Sequence, residues 1–493
     1  MRFLAKSLLA APIMLSIAGS VPAQAPTITP STQPQAKPAS PNPAPAPGGG
    51  ALATVMPRLS EAQAKQVRRM LDGAPGHGLP GYGDTLTGNA PDDPALIQAA
   101  MDYAHAVHGG RLREGDYLKD WGLRPAGFDP WPGFSAAVRE DRLATWIASL
   151  APPYAGYDGL RRGLANYRKI VDDGGWKTIP DGPELAAGAS GPRVAALRQR
   201  LAAEDTALSA KGDKYDAETV AAVKRAQKRF GLEPVGRVGK STLAALNVSA
   251  RDRVDSIIAN LERWRWLPAE LPADRIQVNI AAAVLTLFRN DAPATSMKVV
   301  TGRPGDNTPM LSSQIHSIVL NPPWNVPTSI ATKELFPKGS AYLSRAGFKV
   351  ITTPEGGRRL QQKPGPTNSL GRFKFDFDNA YSVYLHDTPG RGAFERYSRL
   401  ASHGCVRLER PGDLARLLLQ DDPAWSGDAV DAAVAAGETK RARLSKPIAV
   451  YLLYWTAFAG SNGQMNFRAD PYDWDGTLAS RIAKSKPTEV AAR

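Results

Sequence analysis

The spacing of apolar positions changes twice along the chain. From residue 51 to 183 apolar side chains recur every three or four positions, as in Pro94 to Val107 and Phe134 to Leu150, with Gly/Pro breaks such as Gly73 to Gly83. That period predicts amphipathic helices joined by loops. Residues 184–248 repeat the period in a shorter unit. Gly191 and Pro192 open a helix carrying Val194, Leu197 and Leu201, and Tyr215, Asp216 and Thr219 precede a second that runs through Val223 and Gln227 to Phe230. Gly231 stops it, and Gly236, Val238 and Gly239 lead to a third with Thr242 and Leu246. Proline in a first turn and glycine past a last turn are where helices start and stop, so three short helices around one small core are expected.

A further helix near Arg253 to Trp266 occupies a connector over 249–274, after which the pattern becomes that of strands. Ile276 to Phe288, Met297 to Thr301, Ile315 to Leu320, Tyr381 to Leu385 and Ile448 to Trp455 are rich in Val, Ile, Leu and Tyr and bounded by Gly, Pro, Asn or Asp. These predict a mainly-β domain over 275–445, with a C-terminal strand segment and tail over 446–493. Residues of about 328–362 mix helical and polar character inside it, an insertion of the size that forms lids. The fold class expected is multidomain α+β.

The N-terminus carries two segments of a different kind. Arg2 and Lys6 precede an apolar run from Leu8 to Ala18 followed by small residues, the order of a secretory signal, expected over 1–23 with cleavage after Ala23. Residues 24–50 are a Pro/Ala-rich linker whose composition cannot bury a core and is expected to be disordered. An exported chain in the periplasm, cleaved or tethered to the membrane by an uncut signal, is the compartment this predicts.

Composition adds constraints. The chain has 493 residues, enough for about three domains at the usual size. Lys and Arg outnumber Asp and Glu by 61 to 47, a formal charge of +14 that favours an anionic partner. The basic residues are scattered, without zinc-finger spacing or an RNP-like aromatic motif, so no nucleic acid partner is expected. A single cysteine excludes an internal disulfide. The histidines, including His77, His105 and His108, lack ligand spacing with a carboxylate, so no metal and no cofactor are expected.

The chemistry concentrates in Tyr384-Leu385-His386-Asp387 and Ser402-His403-Gly404-Cys405-Val406-Arg407-Leu408, which hold the cysteine and two of the six histidines. A cysteine nucleophile needs its proton removed, and a nearby imidazole does this. His386, at the end of an apolar strand, can return beside Cys405; His403 is so close in sequence that local geometry aims it elsewhere. Gly404 allows a sharp turn that presents the amides of Gly404 and Cys405 to a carbonyl oxygen as an oxyanion hole.

These residues resemble the YkuD-type L,D-transpeptidase signature: a histidine, a spacer, then Ser/Thr-His-Gly-Cys, here with fifteen residues between His386 and Ser402. Gly-Pro-x-Val-x-x-Leu and Gly-x-Val-Gly-x-x-Thr in 184–248 resemble a peptidoglycan-binding module. The layout of helical scaffold, binding module and mainly-β catalytic domain with a helical capping insertion resembles the large YcbB-like subgroup. The resemblance implies that Cys405 attacks the bond before the terminal D-alanine of a tetrapeptide stem, with His386 as base and the Asp387 backbone carbonyl orienting its ring. A diaminopimelate amine of a second stem then resolves the thioester into a 3-3 cross-link. It also implies that carbapenem β-lactams acylate Cys405 and that the enzyme works near membrane or wall-synthesis proteins. Trp324 and Tyr384 are candidates to line the donor pocket; Ser402, His403 and Arg407 are candidates for substrate contact, Arg407 either for a carboxylate or for holding the loop. The same Cys/His site serves an L,D-carboxypeptidase or a lipoprotein-to-peptidoglycan ligase, and a noncatalytic wall-binding scaffold is the reading from another class.

Overall fold

The structure is a computed structural model that describes residues 57–79, 81–82, 94–354 and 356–485. The expected signal and linker, 1–23 and 24–50, lie outside the described residues. Among those described, no helix is long and apolar enough to cross a membrane.

The N-terminal part is helical: α1 Glu61–Asp72, α2 Pro94–Gly109, α3 Pro130–Arg139, α4 Leu143–Ser149 and α5 Ala155–Asp172. The stretch Phe134 to Leu150, expected as one periodic segment, is split between α3 and α4. Asp141 sits at φ 49, in the left-handed region, and turns the chain. The next unit holds α6 Pro192–Ala202, α7 Ala217–Arg229 and α8 Lys240–Asn247. Its centre is polar where it turns: the buried Gln227 donates to the Arg237 carbonyl at 2.8 Å and to Thr242 Oγ1 at 3.0 Å, and accepts from the Gly236 amide at 2.8 Å.

Helix α9, Ala250–Arg265, ties the parts together. Ser249 caps it, accepting from the Asp252 amide at 3.1 Å while the Asp252 carboxylate accepts from the Ser249 amide at 3.3 Å. Its buried face carries charge. Arg265 and Glu262 pair at 2.8 Å with side chains 1% and 0% exposed, and Arg263 pairs with Asp475 at 2.6 Å. Glu262 also accepts from the Arg111 amide at 2.6 Å, and Arg265 donates to the His77 carbonyl and, at 3.0 Å, to the Tyr157 hydroxyl. Helix α5 lies close against this hub because Gly156, Gly159 and Gly163 share one face: a Cβ on Gly156 would sit 2.4 Å from the Trp264 ring, and one on Gly163 2.3 Å from Met465 Sδ.

The C-terminal half is built on a nine-stranded sheet. In chain order come β1 Arg275–Asn279, β2 Val284–Arg289, β3 Ala292–Gly302 and β4 Leu311–Leu320; then β5 Trp324–Asn325, α10 Thr328–Ile330, α11 Ser340–Arg345, β6 Phe348–Thr352 and β7 Arg358–Gln362. After these come β8 Phe373–Phe377, β9 Leu385–His386, β10 Leu400–Ser402, β11 Val406–Leu408, α12 Pro411–Leu419, α13 Gly427–Ala435, β12 Lys440–Leu453, β13 Ala457–Ala459, β14 Met465–Phe467 and α14 Trp474–Lys484. The sheet order is β10-β3-β11-β9-β8-β4-β12-β1-β2, and a further pairing of β2 with β3 closes it into a barrel.

Four expectations change here. The run Ile276 to Phe288 is a hairpin, β1 paired antiparallel with β2, with Ala283 at φ 51 in its turn. Tyr381 to Leu385 is strand only at its end, because the Asn379 side chain accepts from the Tyr381 and Val383 amides at 3.0 and 3.1 Å and holds a turn there, with Ser382 at φ 56. The division expected at 445/446 falls inside β12, which pairs with β4 on one side and β1 on the other, so the C-terminal strand belongs to the barrel. The insertion begins earlier than residue 328, since Trp324–Asn325 pairs with β7 in a small sheet β5-β7-β6 above its own core of Ala331, Leu335, Leu343 and Leu360.

Removing one member of a buried ion pair strands the other charge without water. Glu262→Gln is expected to destabilise the protein by about 3–5 kcal/mol, read as a lowered urea midpoint; an unchanged midpoint would mean that α9 does not hold the halves together.

Candidate active site

The register of three neighbouring strands builds the site. Lys374 on β8 pairs with His386 on β9, and His386 pairs with Arg407 on β11. Register partners point to the same side of a sheet, so these three side chains form one row. The adjoining row, Phe375, Leu385 and Val406, is fully buried and fills the barrel core. By alternation Tyr384 and Cys405 fall on the same face as the Lys374–His386–Arg407 row. The Val406 amide donates to the Tyr384 carbonyl at 3.1 Å, which seats Cys405 opposite Tyr384. The Tyr384 side chain also lies close to the Cys405 sulfur.

His386 is buried, and its Nδ1 lies 2.5 Å from the Asp387 carbonyl oxygen. A carbonyl only accepts, so Nδ1 carries the proton and Nε2 keeps its lone pair. Asp387 is itself fixed: its carboxylate accepts from the Arg372 amide at 2.8 Å, the Thr388 amide at 2.7 Å and Arg391 at 3.3 Å. Burial, with help from the Arg407 charge, pushes the His386 imidazole down to about 3, so it is neutral near pH 7. Burial also pushes the Cys405 thiol up, opposed by its hydrogen bonds from Tyr384 and by the charges of Lys374 and Arg407. The resting pair is therefore thiol and imidazole, with cations placed to favour thiolate as it forms. Tyr384 is held well above its ordinary value by burial and by the nearby Cys405, and stays a donor.

Gly404 sits at φ +107, a conformation that side chains rarely adopt. Its carbonyl accepts from Thr308 Oγ1 at 2.7 Å and its amide donates to Ser402 Oγ at 3.2 Å. The Gly404 amide, expected in an oxyanion hole, is thus already engaged. The Cys405 amide makes no hydrogen bond among the described residues and remains free to donate. Ser402, expected to touch substrate, is 1% exposed and donates to the Cys405 carbonyl at 2.6 Å; it holds the turn that presents the sulfur.

His403 points away from the thiol, toward the insertion. Its Nε2 lies 2.7 Å from Glu334 Oε1 and 3.1 Å from Arg303, which in turn approaches Glu334 at 3.8 Å. Trp324, at the insertion's root, packs near Phe348 and lies close to the Tyr384 side chain. The insertion therefore meets the site at two points, one on each side of Cys405. Arg407 makes no ion pair among the described residues and holds no loop carbonyl, which leaves its charge directed at the site. Of the remaining histidines singled out in the sequence, His77 hydrogen-bonds Tyr157 at 3.0 Å and His108 stacks on Phe128 with centroids 3.9 Å apart.

Sequence reasoning missed Lys374. Its signal was present in Phe373-Lys374-Phe375-Asp376-Phe377, an alternation that turns Lys374 and Asp376 to the face opposite the core. The Lys374 ammonium lies 4.5 Å from the Tyr384 ring centroid and 2.6 Å from Asp376. Glu334 and Arg303 were missed as well, and no local pattern marks them, because they meet His403 only in the folded chain.

Cys405 alkylation by iodoacetamide is expected to follow an ionisation above the ordinary thiol value, and Lys374→Gln, which removes a cation that favours thiolate, should slow it further at pH 8; faster labelling in the variant would refute this electrostatic account. The linkage of the buried imidazoles gives a second expectation. His77 is also pushed down to about 3, by burial and by Arg161 and Arg265. Unfolded chains take up these protons near the ordinary value of 6.5 while the folded chain does so only near 3, so stability falls as pH drops through that window. Each histidine contributes up to about 1.4 kcal/mol per pH unit; urea midpoints between pH 7 and 4.5 should flatten in His77→Gln, and an unchanged slope would count against it.

Comparison with known proteins agrees with this layout. Residues 273–425 match the family described as "L,D-transpeptidase catalytic domain", 190–246 the one described as "Putative peptidoglycan binding domain", and 58–164 the one described as "Scaffold domain". A Haemophilus influenzae protein named "Putative L,D-transpeptidase" is 30% identical over 220 residues, 41% of this chain and 44% of that protein, so the match spans less than half of the relative's length. Among solved structures, an L,D-transpeptidase from Stackebrandtia nassauensis is 16% identical, covering 56% of this chain and 96% of that one with a TM-score of 0.22. One from Xylanimonas cellulosilytica is 18% identical over 55% and 98%, with a TM-score of 0.17. L,D-transpeptidase 3 from Mycobacterium tuberculosis, in complex with a faropenem-derived adduct, is 16% identical over 37% and 60%, with a TM-score of 0.19. With matches to a scaffold domain and a peptidoglycan-binding domain ahead of its barrel, the chain carries in residues 273–425 a domain that matches the L,D-transpeptidase catalytic-domain family.

Proposed function

We propose that the protein is an exported peptidoglycan L,D-transpeptidase of the cell envelope that forms 3-3 cross-links through a Cys405 thioester. The observation that carries this reading is the neutral His386 ring, its Nδ1–H donated to the Asp387 carbonyl and its Nε2 unprotonated, on the face that also holds Cys405. His386 Nε2 takes the thiol proton as the sulfur attacks the carbonyl before the terminal D-alanine of a tetrapeptide stem. The Cys405 amide and the Tyr384 hydroxyl donate to the oxyanion. Collapse breaks the amide bond, the imidazolium protonates the leaving D-alanine amine, and a thioester remains. The side-chain amine of diaminopimelate on a second stem attacks it, His386 takes that proton, and the sulfur leaves as thiolate and recovers it. Lys374 and Arg407 favour the thiolate at both ends of the cycle, and Arg407 is free to hold a stem carboxylate.

The insertion supports an amine acceptor over water. It is fixed beside the thiol by Glu334 with His403 and by Trp324 with Tyr384, which narrows solvent access to a thioester. The same thiol is the expected point of acylation by carbapenem β-lactams, and a wall substrate implies work near membrane or wall-synthesis proteins.

Mass spectrometry of the products from a disaccharide tetrapeptide, with wild type and Cys405→Ala, tests the reading. Cross-linked dimer from wild type and no product from the variant is the expected result. Tripeptide alone would make the protein a carboxypeptidase, and product independent of Cys405 would end the thioester mechanism.

A further inference from the structure

A cleft separate from the Cys405 site runs between the peptidoglycan-binding domain and the barrel. Cavities of about 620, 1020 and 250 Å³ meet there, and Leu232 and Tyr397 line all three. The smallest reaches Gln227 and Thr242 of the binding domain, while the first crosses the β1–β2–β3 face of the barrel through Gln277, Thr286 and Lys298. Tyr397 is 48% exposed, one of few large apolar or aromatic side chains left so open among the described residues. An open aromatic ring beside polar groups is the usual platform for a sugar ring or a peptide backbone.

Two guanidinium groups stand in this cleft without an acid. Arg399 and Arg468 line both larger cavities, and neither forms an ion pair among the described residues. Arg399 meets only carbonyls: those of Ala282 and Ala283 at 3.2 Å and, at longer range, those of Arg396 and Tyr397; its Nε is buried without a partner. Arg468 donates to the Arg229 and Phe467 carbonyls at 3.0 and 2.8 Å and lies 4.9 Å from the Phe458 ring centroid. Burial, and the like charge of Arg399, push the Arg468 guanidinium down to about 10, against the opposing pull of the Tyr397 hydroxyl. Glu233, Glu395, Asp252 and Asp255 also line the two larger cavities, and the charge of Glu409 reaches Arg399, but none of these acids pairs with either guanidinium. Glu409 accepts from the Lys298 amide at 3.1 Å, Asp475 pairs with Arg263 at 2.6 Å, and Asp470 accepts from the Tyr454 hydroxyl at 2.6 Å. Two partly desolvated cations that repel each other and form no ion pair among the described residues are arranged for an anion from outside.

We infer that this interdomain cleft binds peptidoglycan by its saccharide and free stem carboxylates, with Tyr397 as the stacking platform and Arg399 and Arg468 as the carboxylate receptors. The choice of wall polymer rests on the proposed function above, and on the +14 formal charge of the chain, which suits an anionic polymer. The position gives the cleft a use. Arg399 immediately precedes β10, which pairs with β3 and ends at Ser402, in the turn that presents Cys405. A strand held there lies beside the segment that carries the nucleophile, so the binding domain and the barrel grip it together.

The test uses the full mature chain with Cys405→Ala, titrated with a disaccharide tripeptide carrying free carboxylates and, separately, with its amidated form. The free acid should bind about tenfold more tightly than the amide, and Arg399→Gln and Tyr397→Ala should each weaken it by about tenfold. Tyr397 is exposed, so Tyr397→Ala keeps the test decisive if Arg399→Gln lowers the melting temperature. Equal affinity for acid and amide, or parental affinity in Tyr397→Ala, overturns the inference. Cross-linking with no cleft binding would sink the cleft alone, and cleft binding with no Cys405-dependent product would sink the catalytic reading alone.

Discussion

The ion pair of Glu262 and Arg265 is sealed from solvent at the centre of the molecule, and the arrangement of the domains follows from it. Charges that deep are costly unless partnered, and every Arg265 nitrogen but Nε finds an acceptor. The partners come from distant parts of the chain: the Arg111 amide, the His77 carbonyl and the Tyr157 hydroxyl from the helical scaffold, all closing on one helix. On the same helix, Arg263 reaches Asp475 in α14, and Asn260 donates to Thr456 at 2.7 Å just past β12. The scaffold, α9 and the end of the barrel are therefore positioned by one polar seam, with Trp264 stacked on Trp455 at 4.6 Å beside it. An apolar seam would permit sliding; directional hydrogen bonds to a buried charge do not.

That fixed frame matters because the site has little depth of its own. Its two central side chains lie on short strands, Leu385–His386 and the start of Val406–Leu408, which pair over two positions. Their register is held by neighbours: β8 on one side, β3 on the other, and the fully buried row of Phe375, Leu385 and Val406 beneath. A slip by one residue would exchange the polar face for the apolar one, so the core that sets the register also sets the chemistry. Burial then does two opposed things. It keeps His386 neutral and able to accept a proton, and it resists formation of thiolate, which the charges of Lys374 and Arg407 offset.

The loops around the sulfur divide the work. Gly404 supplies the backbone conformation, Ser402 and Thr308 spend their hydroxyls holding it, and the Cys405 amide is left over. His403 is turned outward and serves as the contact for the insertion through Glu334. A motif that reads as one cluster in sequence is thus split by the turn into a presented thiol, a brace and a tether.

Much of this was legible along the chain. Periodicity located the three helices of the binding domain and α9, because a helix that buries one stripe must repeat it every three to four residues. The His386 and Cys405 spacing marked the chemistry, since a thiol and its base must be supplied whatever surrounds them. Local pattern failed where the outcome depended on partners remote in sequence. Tyr381 to Leu385 has the composition of a strand, yet the Asn379 side chain takes its amides and leaves only the last residue paired. Residues 440–453 read as a boundary followed by a strand, yet β4 and β1 recruit them as one. The sequence by itself determined most of the elements and singled out Cys405 and His386 as the candidate nucleophile and base. Only the tertiary structure decided that Lys374 shares their row, that the Gly404 amide is occupied, and that Arg399 and Arg468 stand without acids. Such facts arise from which strands become neighbours, and that choice minimises burial and hydrogen-bond costs over the whole chain at once.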